Sequence, residues 1–384
     1  KRKVALFIMY MGEGYQGMQR NPGAKTIEAE LEQALNKAGG ISDQNFGEPS
    51  KVQWARAART DKGVSALCQV VSLNMVCYHA DIVDRINSNL PEQIRVMGYR
   101  RVVKSFNAKN MCDRRKYEYV LPLFMLDPTS HRSRADSAKL EQQQGGKGEQ
   151  EASVDVSVKT EPSGEKPAEA AQDGGRAPDS TGDGKVTEPF TYTKSTRAAL
   201  NRLLKKYEGT HNFHNFTTRV KASDPSANRY MLRFRAGHAF TVDGEQFVSC
   251  TVLGQSFMLH QIRKMMGAVI AVMRGVAPHD FLDTALSKTK VVNVPTAPEL
   301  GLFLQECVFD SYNRKHGNVH GPLNLESFQE QADSFKRERL YTHIARKEKA
   351  EGPFAQWLKE LNERNYKFTQ VKTPEEMGDD RCKE

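Results

Sequence analysis

Hydrophobic and polar positions along the chain run through the same order twice. Val4 to Tyr10 is an apolar run with β-branched and aromatic residues, the pattern of a buried strand. A glycine-rich loop, Gly12 to Gly23, follows. Thr26 then caps a helix whose apolar positions are Ile27, Leu31, Ala34, Leu35 and Ala38, and Gly39 stops it. Val52 to Ala58 and Ala66 to Met75 read as strands, Asp81 to Leu90 as a short helix ended by Pro91, and Ile94 to Val103 as a strand. This is β-α-β-β-α-β, the ferredoxin-like or RRM-like unit.

The order then repeats. Lys116 to Phe124 predicts a strand and Thr193 to Tyr207 a helix. Arg229 to Val242 pairs with Glu245 to Leu253 across Asp243-Gly244, a dipeptide that favours a type I′ turn. Phe257 to Met273 predicts a long helix, a shorter one starts at His279, and Leu302 to Phe309 closes as a strand. Two such units in tandem can join their sheets edge to edge and leave a cleft between them. The fold class is therefore α+β, with ferredoxin-like halves at residues 1–112 and 113–310. Arg132 to Glu188 interrupts the second half after its first strand. It is rich in Gly, Gln, Ser, Glu, Asp and Pro and poor in aromatics. Such a segment buries too little apolar area to offset its chain entropy, so a disordered acidic insertion is expected. Residues 311–384 are a polar extension with helical segments expected at Leu325 to Arg339 and Phe354 to Asn362, then a disordered tail.

Charge adds a partner to this picture. The 384 residues carry a net +9, unevenly spread. Between Glu141 and Glu188 there are 11 acidic and 5 basic residues, a net −6 that leaves +15 on the remainder. A body that basic favours a polyanion, a structured RNA or DNA, over the plainer role of charge in solubility. The six cysteines, Cys68, Cys77, Cys112, Cys250, Cys307 and Cys382, form no CxxC pair, and four lie in apolar runs. This argues for a reducing compartment and against a zinc site. No apolar run is long enough to span a membrane. The chain opens Lys1-Arg2-Lys3 without methionine, which leaves room for an upstream targeting segment.

Several stretches carry candidate chemistry. Gly12-Glu13-Gly14-Tyr15-Gln16-Gly17 is a literal GxGxxG, but a dinucleotide site needs a helix opening at the glycines. Here Met18 to Pro22 intervenes, the helix waits for Thr26, and the acidic residue expected after the next strand is missing; a loop lining a cleft fits better. His211-Asn212-Phe213-His214 has no third metal ligand near in sequence and reads as a polar loop. In the helix from Phe257, residues Met258, Leu259, Ile262, Met265, Met266, Val269, Ile270 and Met273 form a core face. The opposite stripe carries His260, Arg263, Lys264 and Gly267, a solvated basic face unless it meets a ligand. Tyr117 and Tyr119 alternate onto one face of their strand, as core residues or as a platform for a base. Finally, Arg59-Thr60-Asp61-Lys62-Gly63 separates two strands. Asp-x-Gly there is ordinarily a turn. Yet Arg59 and Lys62 are expected to keep the Asp61 carboxylate ionised, and an ionised carboxylate is a competent nucleophile toward a sugar carbon.

Arg59 to Ala66, RTDKGVSA, closely resembles the catalytic motif of the TruA family of tRNA pseudouridine synthases. Tyr10 to Gln19 is similar to that family's first loop, with Gly12, Tyr15, Gly17 and Gln19 in place and Met18 where bacterial members usually have tryptophan. Phe106-Asn107-Ala108-Lys109 resembles the stretch before the catalytic tyrosine, with Asn107 and Lys109 where bacterial members usually have His and Arg. Arg115 to Tyr119 carries that tyrosine as Tyr117. Phe257 to Arg263 resembles the helix whose arginine pairs with the catalytic aspartate, and Gly301-Leu302 the closing strand. The order fits from Val4 to Phe309, leaving out the insertion. Val52-Gln53-Trp54, Thr210 to Thr217 and the C-terminal extension are similar to the eukaryotic branch.

The resemblance implies one extended antiparallel sheet built from both halves, helices packed on one face and a central catalytic cleft. It implies isomerisation of uridine to pseudouridine in tRNA, at sites around the anticodon stem, and in other structured RNA. It implies Asp61, Tyr117 and Arg263 as catalytic residues, with Arg263 holding Asp61 and Tyr117 stacking on the base or helping to remove the C5 proton. Arg59 would fill the place of the flipped base, and Lys62, Tyr15, Gln19, Arg115, His260 and Lys264 would contact RNA. No cofactor or metal is needed, because the base is both leaving group and nucleophile. A protein without an obligate protein partner or a membrane is expected, a monomer rather than a homodimer, in the nucleus ahead of mitochondrion or cytoplasm. Asp61 either attacks C1′ or abstracts a ribose proton to give a glycal, and both routes stay open. An RNA-binding module could lose Asp61 without harm, and an oxidoreductase would need the glycine loop for a pyrophosphate. The company of Asp61, Tyr117 and Arg263 disfavours the first, and the late helix start the second.

Overall fold

A computed structural model describes residues 1–131, 190–364, 366 and 368. The elements below belong to one compact unit. The insertion expected at Arg132 to Glu188 and the tail lie outside the described residues.

Among the described residues nine strands form one sheet: β1 Arg2–Tyr10, β2 Ala55–Arg56, β3 Ser65–Met75, β4 Ile94–Arg101, β5 Arg114–Pro122, β6 Gly209–Asn212, β7 Asn228–Val242, β8 Glu245–Gly254 and β9 Leu302–Val308. Their order is β4-β1-β3-β9-β5-β8-β7-β6, with β2 also on β3. Each half keeps the ferredoxin-like order, β4-β1-β3-β2 in the first and β9-β5-β8-β7 in the second, with β6 added at the edge. The halves meet where β3 pairs with β9 through Ser65 to Phe303 and Ala66 to Leu304. That seam is parallel, so the sheet is mixed, whereas a wholly antiparallel one was expected. The third strand of one unit meets the fourth of the other and runs the same way. The seam is short because β2 occupies the rest of that edge, at Ser72 and Val71.

β2 is much shorter than the strand expected over Val52 to Ala58. Gln53 is left-handed, with φ 52°, which breaks the run at its start. At its end the buried Gln69 replaces the backbone ladder. Its amide donates to the Ala58 carbonyl at 2.8 Å and its carbonyl accepts from the Ala58 N–H at 3.1 Å. The chain can therefore leave the sheet at Ala58 with its polar groups satisfied and enter the Asp61 loop. The β7–β8 turn is as expected: Asp243 and Gly244 have φ 48° and 84°, both positive as a type I′ turn requires.

Helix α1, Ile27–Lys37, is capped by Thr26, which accepts from Ala29 N–H, and Gly39 ends it at φ 78°. Helices α2 Ile82–Ser88, α3 Lys194–Lys205, α4 Gln261–Met273 and α5 Phe281–Leu286 follow. Helix α4 is shorter than the sequence pattern predicts. Phe257 to His260 stay outside it, with His260 left-handed at φ 59°. Side chains take the backbone groups that helix would use: Met258 N–H donates to Gln261 Oε1 at 2.9 Å, and Thr217 Oγ1 donates to the Leu259 carbonyl at 2.9 Å. Leu259 is consequently half exposed and absent from the core face assigned to it.

The C-terminal extension is α6 Asp310–His320, α7 Gln329–Phe335, a π-helical turn at Lys336–Tyr341, α8 Thr342–Glu351 and α9 Pro353–Glu363. It packs on the sheet through aromatic side chains. Phe328 packs on Phe7 with centroids 5.0 Å apart, and Tyr341 stacks on Phe240 at 4.7 Å. Beneath the π-turn, Glu118 is buried and ion-paired to Lys336 at 2.6 Å, with the Tyr341 hydroxyl donating to its other oxygen. Isolated aromatic anchors in a polar segment carry no helical periodicity, which is why the sequence shows so little of this packing.

Candidate active site

Asp61 lies at the seam between the halves, four residues before β3 begins. Its loop is a tight turn: Val64 N–H donates to the Asp61 carbonyl at 3.1 Å, and Gly63 takes φ 74°. The turn reading of Asp61 is thus met. The glycine loop packs directly beneath. A Cβ on Gly12 would come within 2.4 Å of the Val64 carbonyl oxygen, and one on Gly17 within 2.9 Å of the Thr60 oxygen. Met18 N–H donates to Thr60 O and Gly63 N–H to Tyr15 O. Gly12 and Gly17 of GxGxxG permit close backbone approach to the Asp61 loop, whereas Gly14 faces open space and takes φ 78°.

From the second half come Tyr117, His260, Arg263 and the loop before β9. Tyr117 pairs with Leu304 in the register of β5 and β9, and its buried ring lies edge-on to Phe257 at 5.2 Å. Burial pushes its phenol far up, and the nearby Asp61 charge adds to the effect. Burial also pushes the Asp61 carboxyl above its ordinary value. His260, Arg263 and the backbone amide of His260 pull it back toward the ionised form. The expectation that Arg59 and Lys62 hold this carboxyl low is not met. Both are exposed, where water screens their charge, and burial outweighs them. The His260 imidazole is itself pushed down by burial, with Asp61 opposing.

Arg263 does not hydrogen-bond to Asp61. Its Nε donates to the Ala297 carbonyl at 2.7 Å and its Nη2 to Glu299 at 2.8 Å. The stripe carrying Arg263 is packed and is no solvated face. A Cβ on Gly267 would lie 2.1 Å from the Pro295 carbonyl oxygen, and Ala297 N–H donates to the Arg263 carbonyl. His260 does not share that stripe, because it precedes the helix in a left-handed conformation.

The remaining predicted residues divide. Arg59, Lys62 and Gln19 are exposed near the site, and Lys264 is half-buried, with its ammonium near the Asn215 carbonyl. Tyr15 is buried, its ring under the Lys25 ammonium at 4.7 Å. Arg115 is a strut. Its guanidinium donates to the carbonyls of Ala57 in the first half and Gln255 in the second, and to those of Cys112 and Lys109. Those bonds use the donors that were expected to meet RNA. His211 and His214 bond backbone carbonyls and the Asn212 side chain. Among the described residues no metal-ligand cluster is present, and no helix is long and apolar enough to cross a membrane.

This arrangement sets a partly buried carboxylate among the Arg263 guanidinium, the His260 imidazole and the Tyr117 ring, on elements contributed by two ferredoxin-like halves. A family described as tRNA pseudouridine synthase matches residues 203–310, the stretch that contains Arg263. Pseudouridylate synthase 1 homolog of Mus musculus is 39% identical over 374 residues, covering 96% of this chain and 76% of the relative. The chain belongs to the tRNA pseudouridine synthase family. The human Pseudouridylate synthase 1 homolog is 39% identical over 371 residues, covering 95% of this chain and 74% of its own length. The tRNA pseudouridine synthase 1 of Yarrowia lipolytica is 37% identical over 386 residues, covering 92% and 73%. In this family member Glu299, Gln69 and Thr217 shape the site, yet sequence reading passed over all three. Glu299, Gln69 and Thr217 bond partners 36, 11 and 42 positions away, and a lone polar residue carries no periodic signal.

Proposed function

We propose that this chain isomerises uridine to pseudouridine in tRNA and uses Asp61 to break the glycosidic bond. The observation that carries the reading is the raised, half-buried Asp61 carboxyl facing Arg263, His260 and Tyr117 at the seam. A carboxylate with raised basicity, once ionised, is a better nucleophile or base than a solvated one. In the nucleophilic route Asp61 bonds to C1′ and uracil leaves with the electron pair at N1. In the glycal route Asp61 takes a ribose proton as uracil departs. In both, the freed base turns and C5 bonds to C1′: in the first route it displaces the Asp61 carboxylate, in the second it adds to the glycal as Asp61 returns the proton to C2′, and the C5 proton is then lost. Tyr117 supports stacking on the base, because burial keeps its phenol neutral and makes it a poor base. Arg263 contributes charge near Asp61. Arg59, Lys62, Gln19 and Lys264 are assigned to RNA contacts, with Arg59 filling the space that the flipped uridine vacates. His260 acts at Asp61, while Tyr15 and Arg115 act by supporting the loops. No cofactor takes part. A nuclear monomer acting on tRNA, and on other structured RNA, completes the proposal.

The test is pseudouridine mapping of total RNA from cells with and without the protein. Loss of specific tRNA pseudouridines in its absence supports the reading; an unchanged map contradicts it.

A further inference from the structure

We propose that Glu299 is a positioning residue, one that fixes which edge of the Arg263 guanidinium can meet Asp61. The inference rests on the reading of Asp61 and Arg263 given above. An arginine presents its five N–H groups in a rigid planar fork. The Nε hydrogen and one Nη2 hydrogen share a side-on edge, the one best suited to gripping a carboxylate with two bonds. Here that edge is occupied: Nε donates to the Ala297 carbonyl and Nη2 to Glu299. Only the end-on edge remains for Asp61.

The holder is itself fixed. Glu299 opens a single 3-10 turn, Glu299–Gly301, that leads into β9. Gly301 is pressed on β5, where a Cβ would lie 2.3 Å from the Val120 carbonyl oxygen. The same loop is clamped to α4 by Gly267 against Pro295 and by Ala297 N–H to the Arg263 carbonyl. On its other side Glu299 reaches the catalytic loop, with its Cγ 3.5 Å from where a Gly63 Cβ would sit. Glu299 therefore lies between the Asp61 loop of one half and the Arg263 helix of the other. The Arg263 side chain is mostly buried and that of Glu299 half exposed, so the carboxylate closes the pair from the solvent side. Its negative charge also cancels part of the Arg263 charge that acts on Asp61. Removing it strengthens the pull of Arg263 and makes Asp61 more acidic.

The groups facing Asp61 are His260, Arg263 and Tyr117, and those facing Glu299 are Arg263, His260 and Tyr119. Both tyrosines are held neutral by burial, which leaves His260 as the other group that titrates in acid. The experiment measures single-turnover pseudouridine formation against pH for wild type, Glu299→Gln, Glu299→Asp and Glu299→Ala on a tRNA transcript. Glu299→Gln is expected to move the acid limb to lower pH, also in a His260→Gln background. Glu299→Ala is expected to lower kcat about tenfold, the lower end of what one charge-assisted hydrogen bond is worth, with KM changed less than about twofold. Glu299→Asp retains the charge and is expected to keep the wild-type acid limb. If Glu299→Gln folds and matches wild type in acid limb and kcat, the inference is overturned. If only KM moves, Glu299 is a surface charge that repels RNA, and the inference is again overturned. Asp61→Asn in the same assay separates the two levels: activity in that variant removes the reading of Asp61, whereas its loss beside an unchanged Glu299→Gln removes this inference alone.

Discussion

Replacing Arg263 with lysine keeps one positive charge and removes a fork. The wild-type side chain is mostly buried, bonds the Ala297 carbonyl at 2.7 Å and Glu299 at 2.8 Å, and acts on Asp61 through its charge. A single ammonium on a shorter, round head cannot serve three groups in three directions. If it keeps the ion pair with Glu299, the Ala297 carbonyl loses its partner and the charge retreats from Asp61. If it turns to Asp61, Glu299 and Ala297 are both released. A neutral hydrogen bond is worth about 1 kcal/mol and one to a charged group about 1.5–3 kcal/mol. Crediting lysine with one retained interaction, the loss at the site is about 2–3 kcal/mol, which corresponds to a rate about 30- to 150-fold lower. Single-turnover conversion of a tRNA transcript at saturating enzyme reads this loss directly, while thermal melting and filter binding report fold and RNA affinity. Lys264→Ala is the control and is expected to weaken affinity more than rate. Wild-type single-turnover rates for a folded Arg263→Lys would show that the guanidinium fork is not needed at Asp61 and that Arg263 is one more charge on a basic helix.

Further outcomes follow from the charge distribution and the buried pairs. RNA affinity is expected to fall steeply between low and physiological salt, because a body carrying +15 outside the acidic segment releases counterions on meeting several phosphates; a flat titration contradicts this. Lys336→Ala strands the buried Glu118 carboxylate with only the Tyr341 hydroxyl and is expected to cost about 3 kcal/mol, read as a lower melting temperature that Glu118→Gln in the same chain partly restores. Asp61 is raised in the folded protein, so its ionisation opposes folding. That cost is absent below the unfolded-state value and grows as pH rises through the folded one. Asp61→Asn is therefore expected to melt at or above wild type near neutral pH, with the gap closing in acid. A lower melting temperature at neutral pH contradicts the raised carboxyl.

Strand and helix periodicity announced most of the sheet, because buried strands such as Val4 to Tyr10 and capped helices such as Ile27–Lys37 carry their own local signals. The Asp61 loop was legible for a different reason: a carboxylate between two cations inside a turn is a chemical oddity in the sequence itself. What stayed hidden depends on distant partners. Phe257 to His260 continues a helical pattern, yet Gln261 and Thr217 satisfy its backbone in another shape. Arg115 reads as a basic residue awaiting RNA, and only the fold brings carbonyls of both halves to its guanidinium. Arg59 and Lys62 are neighbours of Asp61 in the chain, but exposure weakens their influence and burial sets the direction of its shift. Glu299 is 36 positions from Arg263 and meets it because β9 closes the second half against the first.

One paired measurement tests whether the Asp61 carboxylate performs the bond-breaking step. Asp61→Asn keeps the shape of the side chain and removes both its charge and its nucleophilicity. Single-turnover pseudouridine formation and equilibrium binding are measured for this variant on the same tRNA transcript. The expected result is no detectable product with affinity close to wild type. Product formation by Asp61→Asn at a rate near that of wild type would contradict the assignment of the chemistry to this residue.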